Sequence, residues 1–180
     1  MKKSYYKFIV LFVIILIIWK IYYFVDYSDD KYANTLLYPK IKPFVTDYIK
    51  VSDIHTLGYS IYGNKNGKPI LFVHGGPGSA PPQDAARFFD PNYYFIIIVD
   101  QRGCGKSRPL GELKENNTQN LIEDFEKIRK KLKIDKWILF GGSWGSTLSL
   151  AYSITYPNVI SGMILRGIFL STPREVTWLY

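Results

Sequence analysis

Ser143 is the residue whose surroundings best fit covalent chemistry. The apolar run at residues 137–140 leads into Gly141-Gly142-Ser143-Trp144-Gly145, and a helical pattern follows. This order of strand, sharp turn and helix is typical of a nucleophile elbow, which exposes the serine hydroxyl at the top of a sheet. Glycine at positions 141 and 145 permits the turn, because a Cβ there would clash with it. Gly-x-Ser-x-Gly alone also occurs in ordinary glycine-rich turns, so the choice between an elbow and such a turn depends on the other loops.

Two further loops with unusual residues follow predicted strands. His74-Gly75-Gly76-Pro77-Gly78 comes after one apolar run, and the loop at 100–107 comes after another. The carboxyl ends of parallel strands meet at one edge of a sheet, where such sheets bind ligands. Acyl transfer requires N–H donors that face the oxyanion of the tetrahedral intermediate. We expect the backbone N–H groups of Gly76 and Trp144 to form this oxyanion hole beside Ser143.

The glycine loops do not fit phosphate binding. The motif HGGPG lacks both the Lys-Ser/Thr pair of a P-loop and the spacing of a dinucleotide-binding loop. Gly105-Lys106-Ser107 resembles the end of a P-loop, but Asp100 stands where that motif requires its first glycine. We therefore do not expect a nucleotide ligand.

Four other residues could carry chemistry, and for each we favour a structural role. His74 begins the glycine loop and is predicted to fix it by hydrogen bonding. Asp100 ends a strand ahead of Ser143 in the chain and is predicted to organise its own loop. His55 lies in a predicted N-terminal hairpin and is expected at the surface. Cys104 is expected to be a small packed residue, because no base stands beside it in the sequence.

Composition excludes several other functional classes. The chain has 180 residues, 47% of them hydrophobic, and a formal net charge of +8, which is enough length for one domain with a sizeable core. The lysines are spread along the chain without a dense basic block, so we expect no nucleic-acid partner. The single cysteine excludes an intramolecular disulfide, and no Cys/His cluster has metal-ligand spacing. We expect no metal and no cofactor.

Hydrophobic periodicity predicts a mostly parallel α/β sheet with flanking helices. Strands are predicted at 48–51, 57–62, 69–73, 94–99, 137–140 and 159–165, and helices at 83–89, from 118 onward and from the elbow to 156. The helix from 118 is indicated by apolar residues at spacings of three and four. The first two strands are predicted to form an antiparallel start to the sheet, and the later alternation of strand and helix predicts parallel pairing.

The N-terminus has the pattern of a membrane anchor. Residues 8–25 are apolar apart from Lys20, lysines precede them and aspartates follow them. The positive-inside rule predicts a cytoplasmic N-terminus and places the rest of the chain across the membrane. The alternative is a secretory signal peptide, but bulky residues stand where a small-x-small cleavage site would be required. The predicted organisation is a cytoplasmic tail at 1–7, a transmembrane anchor at 8–25, a juxtamembrane linker at 26–46 and a truncated α/β domain at 47–180.

From Leu37 to Tyr180 the chain resembles the proline iminopeptidases (prolyl aminopeptidases), serine peptidases with the α/β-hydrolase fold. The resemblance rests on six stretches that occur in order: LYPKIKPF, HGGPG, FFDP, DQRGCGKS, GGSWGSTL and LRGIFL. It implies that Ser143 is the nucleophile, that Gly76 and Trp144 supply the oxyanion hole, and that no cofactor is needed. The implied reaction releases an N-terminal proline from a peptide through an acyl-enzyme.

The sequence departs from the family after the elbow. The triad of this fold runs in the order Ser, Asp or Glu, then His. No Asp and no His follow Ser143, and Glu175 is the one acid there. The loop after HGGPG reads Ser79-Ala80-Pro81-Pro82 where the family tends to have further glycines, and an anchor is foreign to its usual members. We therefore expect this chain alone to be incomplete or inactive, with a complementing C-terminal fragment as a partner to consider.

Two alternatives remain open at this point. One is a non-catalytic, membrane-tethered remnant of the fold that binds peptides or partners through the surviving loops. The other is an esterase of the same fold, against which the pairing of HGGPG with GGSWGS favours a peptidase.

Overall fold

The computed structural model describes residues 12–20 and 37–179. The chain divides into two compact units, Met1–Tyr38 and Pro39–Tyr180. In the first unit residues 12–20 are helical, and the rest of the anchor predicted at 8–25 lies outside the described residues, as do residues 26–36 of the predicted linker. Within the part of the chain that the structure describes, we find no helix with both the length and the apolar character needed to cross a membrane.

The second unit is built on a six-stranded sheet in the order β1-β2-β4-β3-β5-β6. Its strands are β1 (Val45–Lys50), β2 (Thr56–Gly63), β3 (Lys68–Val73), β4 (Tyr94–Val99), β5 (Trp137–Ser143) and β6 (Ile160–Ile168). The first two strands pair antiparallel, and β2 pairs antiparallel with β4. The other neighbours are parallel. The predicted antiparallel start and parallel remainder are thus confirmed.

The three central strands are buried on both faces, which explains their unbroken apolar sequences. One face of the sheet packs against helices α1 (Thr118–Lys131) and α2 (Trp144–Thr155) around Leu71, Leu139 and Phe125. The other face packs Phe72 and Ile96 against the segment that contains Phe89. The parallel order β4-β3-β5 brings the loops that follow these strands to one edge of the sheet.

Helix α1 begins where the sequence predicts. The side chain of Asn117 caps it by accepting a hydrogen bond of 3.0 Å from the Asn120 backbone N–H. Glu126 joins α1 to α2, because its carboxylate accepts from the Tyr152 hydroxyl (2.6 Å) and from Nε of Arg129 (2.7 Å). The two helices that flank the elbow strand are therefore held together by a buried hydrogen-bond network as well as by apolar contacts.

Three features differ from the sequence prediction. The helix predicted at 83–89 is a single 3-10 turn at Ala85–Phe88, in a segment bounded by prolines on both sides. The last strand, β6, continues three residues beyond its predicted end at 165. A short helix, α3 (Pro173–Leu179), follows it without having been predicted.

Strand β6 lies at the edge of the sheet and pairs with β5. Its apolar side chains Met163, Ile164 and Ile168 are 41%, 46% and 60% exposed, and Trp178 of α3 is 85% exposed. This end of the unit therefore presents an uncovered apolar surface.

Candidate active site

Ser143 stands in the backbone conformation of a nucleophile elbow. It ends β5 with φ 54° and ψ −127°, a conformation that costs a non-glycine residue free energy, and α2 begins at the next residue. A Cβ on Gly141 would lie 2.4 Å from the carbonyl oxygen of Gly145. A Cβ on Gly145 would lie 2.0 Å from the carbonyl oxygen of Val73. Both flanking glycines are therefore required by close backbone packing, as the motif predicted.

The glycine loop after β3 lies directly against the elbow. A Cβ on Gly75 would meet the Gly142 carbonyl oxygen at 2.9 Å and the Ser143 Cβ at 3.3 Å. Gly76 has φ 130°, a conformation open chiefly to glycine, and the Ser79 hydroxyl donates to the Gly75 carbonyl at 2.9 Å. The structure thus brings together the loop that contains Gly76, the exposed Ser143 and the first residue of α2, Trp144.

His74 is buried, and both of its ring nitrogens are occupied. Nε2 accepts a hydrogen bond of 3.0 Å from the backbone N–H of Gln101, so the ring proton is on Nδ1, which donates to the Gly75 carbonyl at 2.9 Å. The side-chain amide of Gln101 returns a bond of 2.8 Å to the His74 carbonyl. Burial lowers the pKa of the imidazole, which favours this neutral form. These contacts leave His74 no free lone pair with which to take the proton of Ser143.

Asp100 joins the loop after β4 to strand β2, and it also joins the two ends of that loop. Its backbone N–H donates to the Gly58 carbonyl (2.9 Å), and its carbonyl accepts from the Ser107 hydroxyl (2.5 Å). The carboxyl occupies the space above Gly105, where a Cβ would lie 1.8 Å from Asp100 Oδ1. Burial raises the pKa of this carboxyl, opposed by the backbone N–H and the positive charge of Lys106.

Arg102 is a residue of the site region that the sequence analysis missed. Its guanidinium is buried and donates to both carboxylate oxygens of Asp124 in α1, at 2.6 and 2.8 Å. It also donates to the Glu115 carbonyl at 2.6 Å. This fork ties the loop after β4 to the helix beneath it. The sequence did contain a signal for this ion pair. Asp124 lies on the apolar face of α1 next to Phe125, and a carboxylate buried there implies a buried partner.

Two expectations about polar residues have different outcomes. His55, expected at the surface, is fully buried, and its Nε2 lies 2.7 Å from the Lys114 carbonyl oxygen. The prediction failed because the long loop after β4 covers the β1–β2 hairpin. Cys104 is packed as expected, donating to the Gln101 carbonyl at 3.1 Å. Burial, aided by the charge of Asp100, raises the pKa of its thiol to about 11, which keeps it protonated.

Ser143 has no base among the residues that the structure describes. Its hydroxyl is exposed and forms no hydrogen bond within residues 37–179. The sequence contains two histidines, of which His74 is occupied as above and His55 is bound to the loop at Lys114. The described residues also contain no cluster of metal-ligating side chains. The arrangement thus places an exposed serine beside a glycine loop.

Comparison with known proteins identifies the family. A family model described as alpha/beta hydrolase fold matches residues 68–177. The chain belongs to the α/β-hydrolase family. Among its relatives, a "Probable proline iminopeptidase" of Leptolyngbya boryana is 53% identical over 144 residues, or 80% of this chain and 45% of that protein. The proline iminopeptidase of Arabidopsis thaliana is 50% identical over 80% of this chain and 38% of its own length.

Solved structures of other α/β-hydrolases have the same fold. An esterase from a Rhodococcus species superposes with a TM-score of 0.60 at 25% identity, covering 72% of this chain and 48% of the esterase. A proline iminopeptidase from Mycobacterium smegmatis superposes with a TM-score of 0.59 at 24% identity, covering 66% of this chain and 42% of that protein. This α/β-hydrolase chain spans less than half the length of the curated relatives named above.

Proposed function

We propose that this chain carries the nucleophile half of a serine aminopeptidase that releases N-terminal proline from peptides. The observation that carries the proposal is the strained, exposed Ser143 held against the glycine loop. The substrate class follows from the names of the relatives, which are proline iminopeptidases at about half identity. The pairing of HGGPG with GGSWGS favours this activity over that of an esterase.

In the proposed mechanism, Ser143 Oγ attacks the carbonyl carbon of the N-terminal prolyl residue. The backbone N–H groups of Gly76 and Trp144 stabilise the oxyanion, and loss of one such donor costs about 3 kcal/mol of barrier. A base accepts the hydroxyl proton and returns it to the departing peptide nitrogen, leaving a prolyl ester on Ser143. Water then hydrolyses this ester to free proline. No cofactor takes part.

The residues around Ser143 have supporting roles in this proposal. His74 holds the glycine loop against the loop after β4 through Gln101, and Asp100 holds that second loop in its fold. The first contact helps to hold the loop that contains Gly76 in place. The base is not His74, because both of its ring nitrogens are bonded. It is not His55, which is fully buried against the loop at Lys114. Turnover therefore needs a base that neither of these histidines supplies.

A chimera tests the proposal directly. Residues 37–180 would replace the matching segment of the proline iminopeptidase of Neisseria gonorrhoeae, which is 48% identical over 143 residues. We expect release of a fluorophore from a proline amide, abolished by Ser143→Ala, whereas the 180-residue chain alone gives no more product than its own Ser143→Ala variant. A folded chimera without serine-dependent turnover would refute the proposed activity, and serine-dependent turnover by the 180-residue chain would refute the need for a base other than its two histidines.

The second candidate is a non-catalytic, membrane-tethered remnant that binds peptides or partners. The observation that favours it is the absence of a free base near Ser143 in the described residues. The exposed apolar side chains of β6 and α3 would then bind a complementing C-terminal fragment. Co-expression with the C-terminal half of the Neisseria relative separates the two candidates. A stable complex without proline release would support the remnant, and proline release would support the peptidase.

We further propose that residues 8–25 anchor the chain in a membrane with the N-terminus cytoplasmic and the hydrolase unit on the far side. The support is the apolar sequence with lysines before it and aspartates after it. Cell fractionation tests this placement: full-length protein in the membrane fraction would support it. A soluble product of reduced mass would show instead that the segment is a cleaved signal peptide of a secreted protein.

A further inference from the structure

A cavity lies beside the candidate active site but outside it. Its volume is about 330 Å³, and it is lined by β2, β4, the loop at 80–83 and the loop that contains Asp100. Ser143 is not among its lining residues, and strand β3 lies between β4 and the elbow strand β5. The volume is at the lower end of the range of small-molecule sites, about 300–1,000 Å³. It therefore suits a ligand with few atoms.

Two opposite charges line this cavity without contacting each other. Asp100 and Lys106 both line it, and no ion pair within 4.0 Å joins their charged groups. Lys106 Nζ instead donates to the Ser60 hydroxyl at 3.1 Å. The two charges are close enough to interact, because the positive charge of Lys106 acts to lower the pKa of Asp100. A ligand placed between them could therefore contact both.

The carboxylate of Asp100 is incompletely compensated in the free protein. Asp100 is 6% exposed, and the backbone N–H of Lys106 acts to lower the pKa of its carboxyl. Burial of a carboxylate without a direct counter-charge is unfavourable, which explains the raised pKa of this group. A ligand ammonium would supply the missing counter-charge, and a ligand carboxylate would pair with the ammonium of Lys106, which is an exposed residue.

The rest of the cavity wall contains apolar residues besides the polar Tyr62 and Gln83. Ile98 of β4 and the consecutive residues Pro81 and Pro82 contribute to it. Such surfaces accommodate an aliphatic side chain or a saturated ring and give no further polar partner. The cavity thus pairs a positive and a negative group with an apolar surface.

We propose that this cavity binds a free α-amino or α-imino acid as its zwitterion, with the ligand ammonium at Asp100 and the ligand carboxylate at Lys106. The apolar surface formed by Ile98, Pro81 and Pro82 then contacts the side chain or ring. The proposal concerns binding alone and stands whether or not Ser143 acts as a peptidase nucleophile. If the proposed peptidase activity is correct, the free proline that it releases belongs to this ligand class.

The test is a titration of the 180-residue chain with L-proline, followed by backbone amide chemical shifts. We expect saturable shifts centred on Ser60 and Lys106. Pyrrolidine carries the ammonium without the carboxylate, and cyclopentanecarboxylate carries the carboxylate without the ammonium. Each should bind at least about tenfold more weakly than proline, because each loses one charge-assisted contact. Equal binding of either compound, or no shift at about 10 mM proline, would overturn the proposal.

Variants locate the site. Lys106→Met keeps the aliphatic stem and should weaken proline binding about tenfold. Lys68→Met removes an exposed lysine outside the cavity and should leave the affinity unchanged. Ser143→Ala should also bind proline normally, which separates this site from the proposed catalytic one. If Lys106→Met fails to fold, the comparison of proline with its two half-ligands on the unaltered chain still decides the question.

Discussion

Arg102 and Asp124 form a buried, two-pronged ion pair between the loop after β4 and helix α1. The guanidinium Nε lies 2.6 Å from Asp124 Oδ2, and the two side chains are 2% and 1% exposed. The remaining Nη1 donates to the Glu115 carbonyl at 2.6 Å. The residue next to Arg102 is Gln101, which bonds to His74. The pair therefore connects α1 to the glycine loop through two adjacent residues.

Removal of one member of this pair should destabilise the fold severely. Asp124→Asn leaves the buried guanidinium with only the Glu115 carboxylate, 3.9 Å from Nη1 and 43% exposed, as a counter-charge. We expect the free energy of unfolding to fall by about 3–5 kcal/mol. Glu123→Gln is the matched control on the same helix, because Glu123 takes part in an exposed hydrogen bond with Gln119. It should change stability by less than about 0.5 kcal/mol. Urea unfolding of both variants checks the prediction, which equal losses would contradict.

The sequence predicts the parts of this fold that depend on local patterns. Apolar runs locate β3, β4 and β5, and Gly-x-Ser-x-Gly locates the elbow, because each requirement acts within a few residues. The ion pair of Arg102 with Asp124 joins residues 22 positions apart, and the burial of His55 depends on a loop 59 residues away. Such pairings follow from tertiary packing, which periodicity does not report. The helix predicted at 83–89 was wrong for a local reason, because prolines on both sides limit this segment to a single 3-10 turn.

The elbow should not tolerate a methyl group at Gly145. A Cβ there would lie 2.0 Å from the Val73 carbonyl oxygen, so Gly145→Ala must push α2 away from β3. We expect a loss of at least about 1–3 kcal/mol in the free energy of unfolding, in the range of overpacked cores. Gly162→Ala is the control, because its nearest neighbour would be Ile138 at 4.0 Å. Chemical denaturation that found the two alanine variants equally stable would refute the close contact.

Stability should fall in mildly acidic solution because of His74. Burial lowers the pKa of this imidazole below its ordinary 6.5, so the unfolded chain binds the proton at a higher pH than the folded chain does. The contribution of neutral His74 is therefore complete above pH 6.5 and is lost as the pH decreases through 6.5 toward the folded pKa. Protonation of Nε2 would also remove the acceptor for the Gln101 N–H.

The measurement compares the unaltered chain with His74→Gln across this pH range. The stability advantage of the unaltered chain should shrink as the pH falls below 6.5, because the variant lacks the titrating group. Denaturation at a series of pH values gives both curves. An advantage that stays constant with pH would show that His74 titrates alike in the folded and unfolded states.

The strain at Ser143 predicts that the proposed nucleophile costs stability. With φ 54° and ψ −127°, a residue bearing a Cβ is held at a cost of about 1–3 kcal/mol, whereas glycine adopts positive φ freely. The greater conformational freedom of glycine in the unfolded chain lowers the stability of the folded state by about 0.5–1 kcal/mol, which offsets part of the strain that glycine removes. Ser143→Gly should therefore unfold with a free energy about 0.5–2 kcal/mol higher than Ser143→Ala, since both lack the hydroxyl and differ only in the Cβ. Paired urea titrations decide this, and an alanine variant as stable as the glycine variant or more so would mean that the elbow stores no strain at this residue.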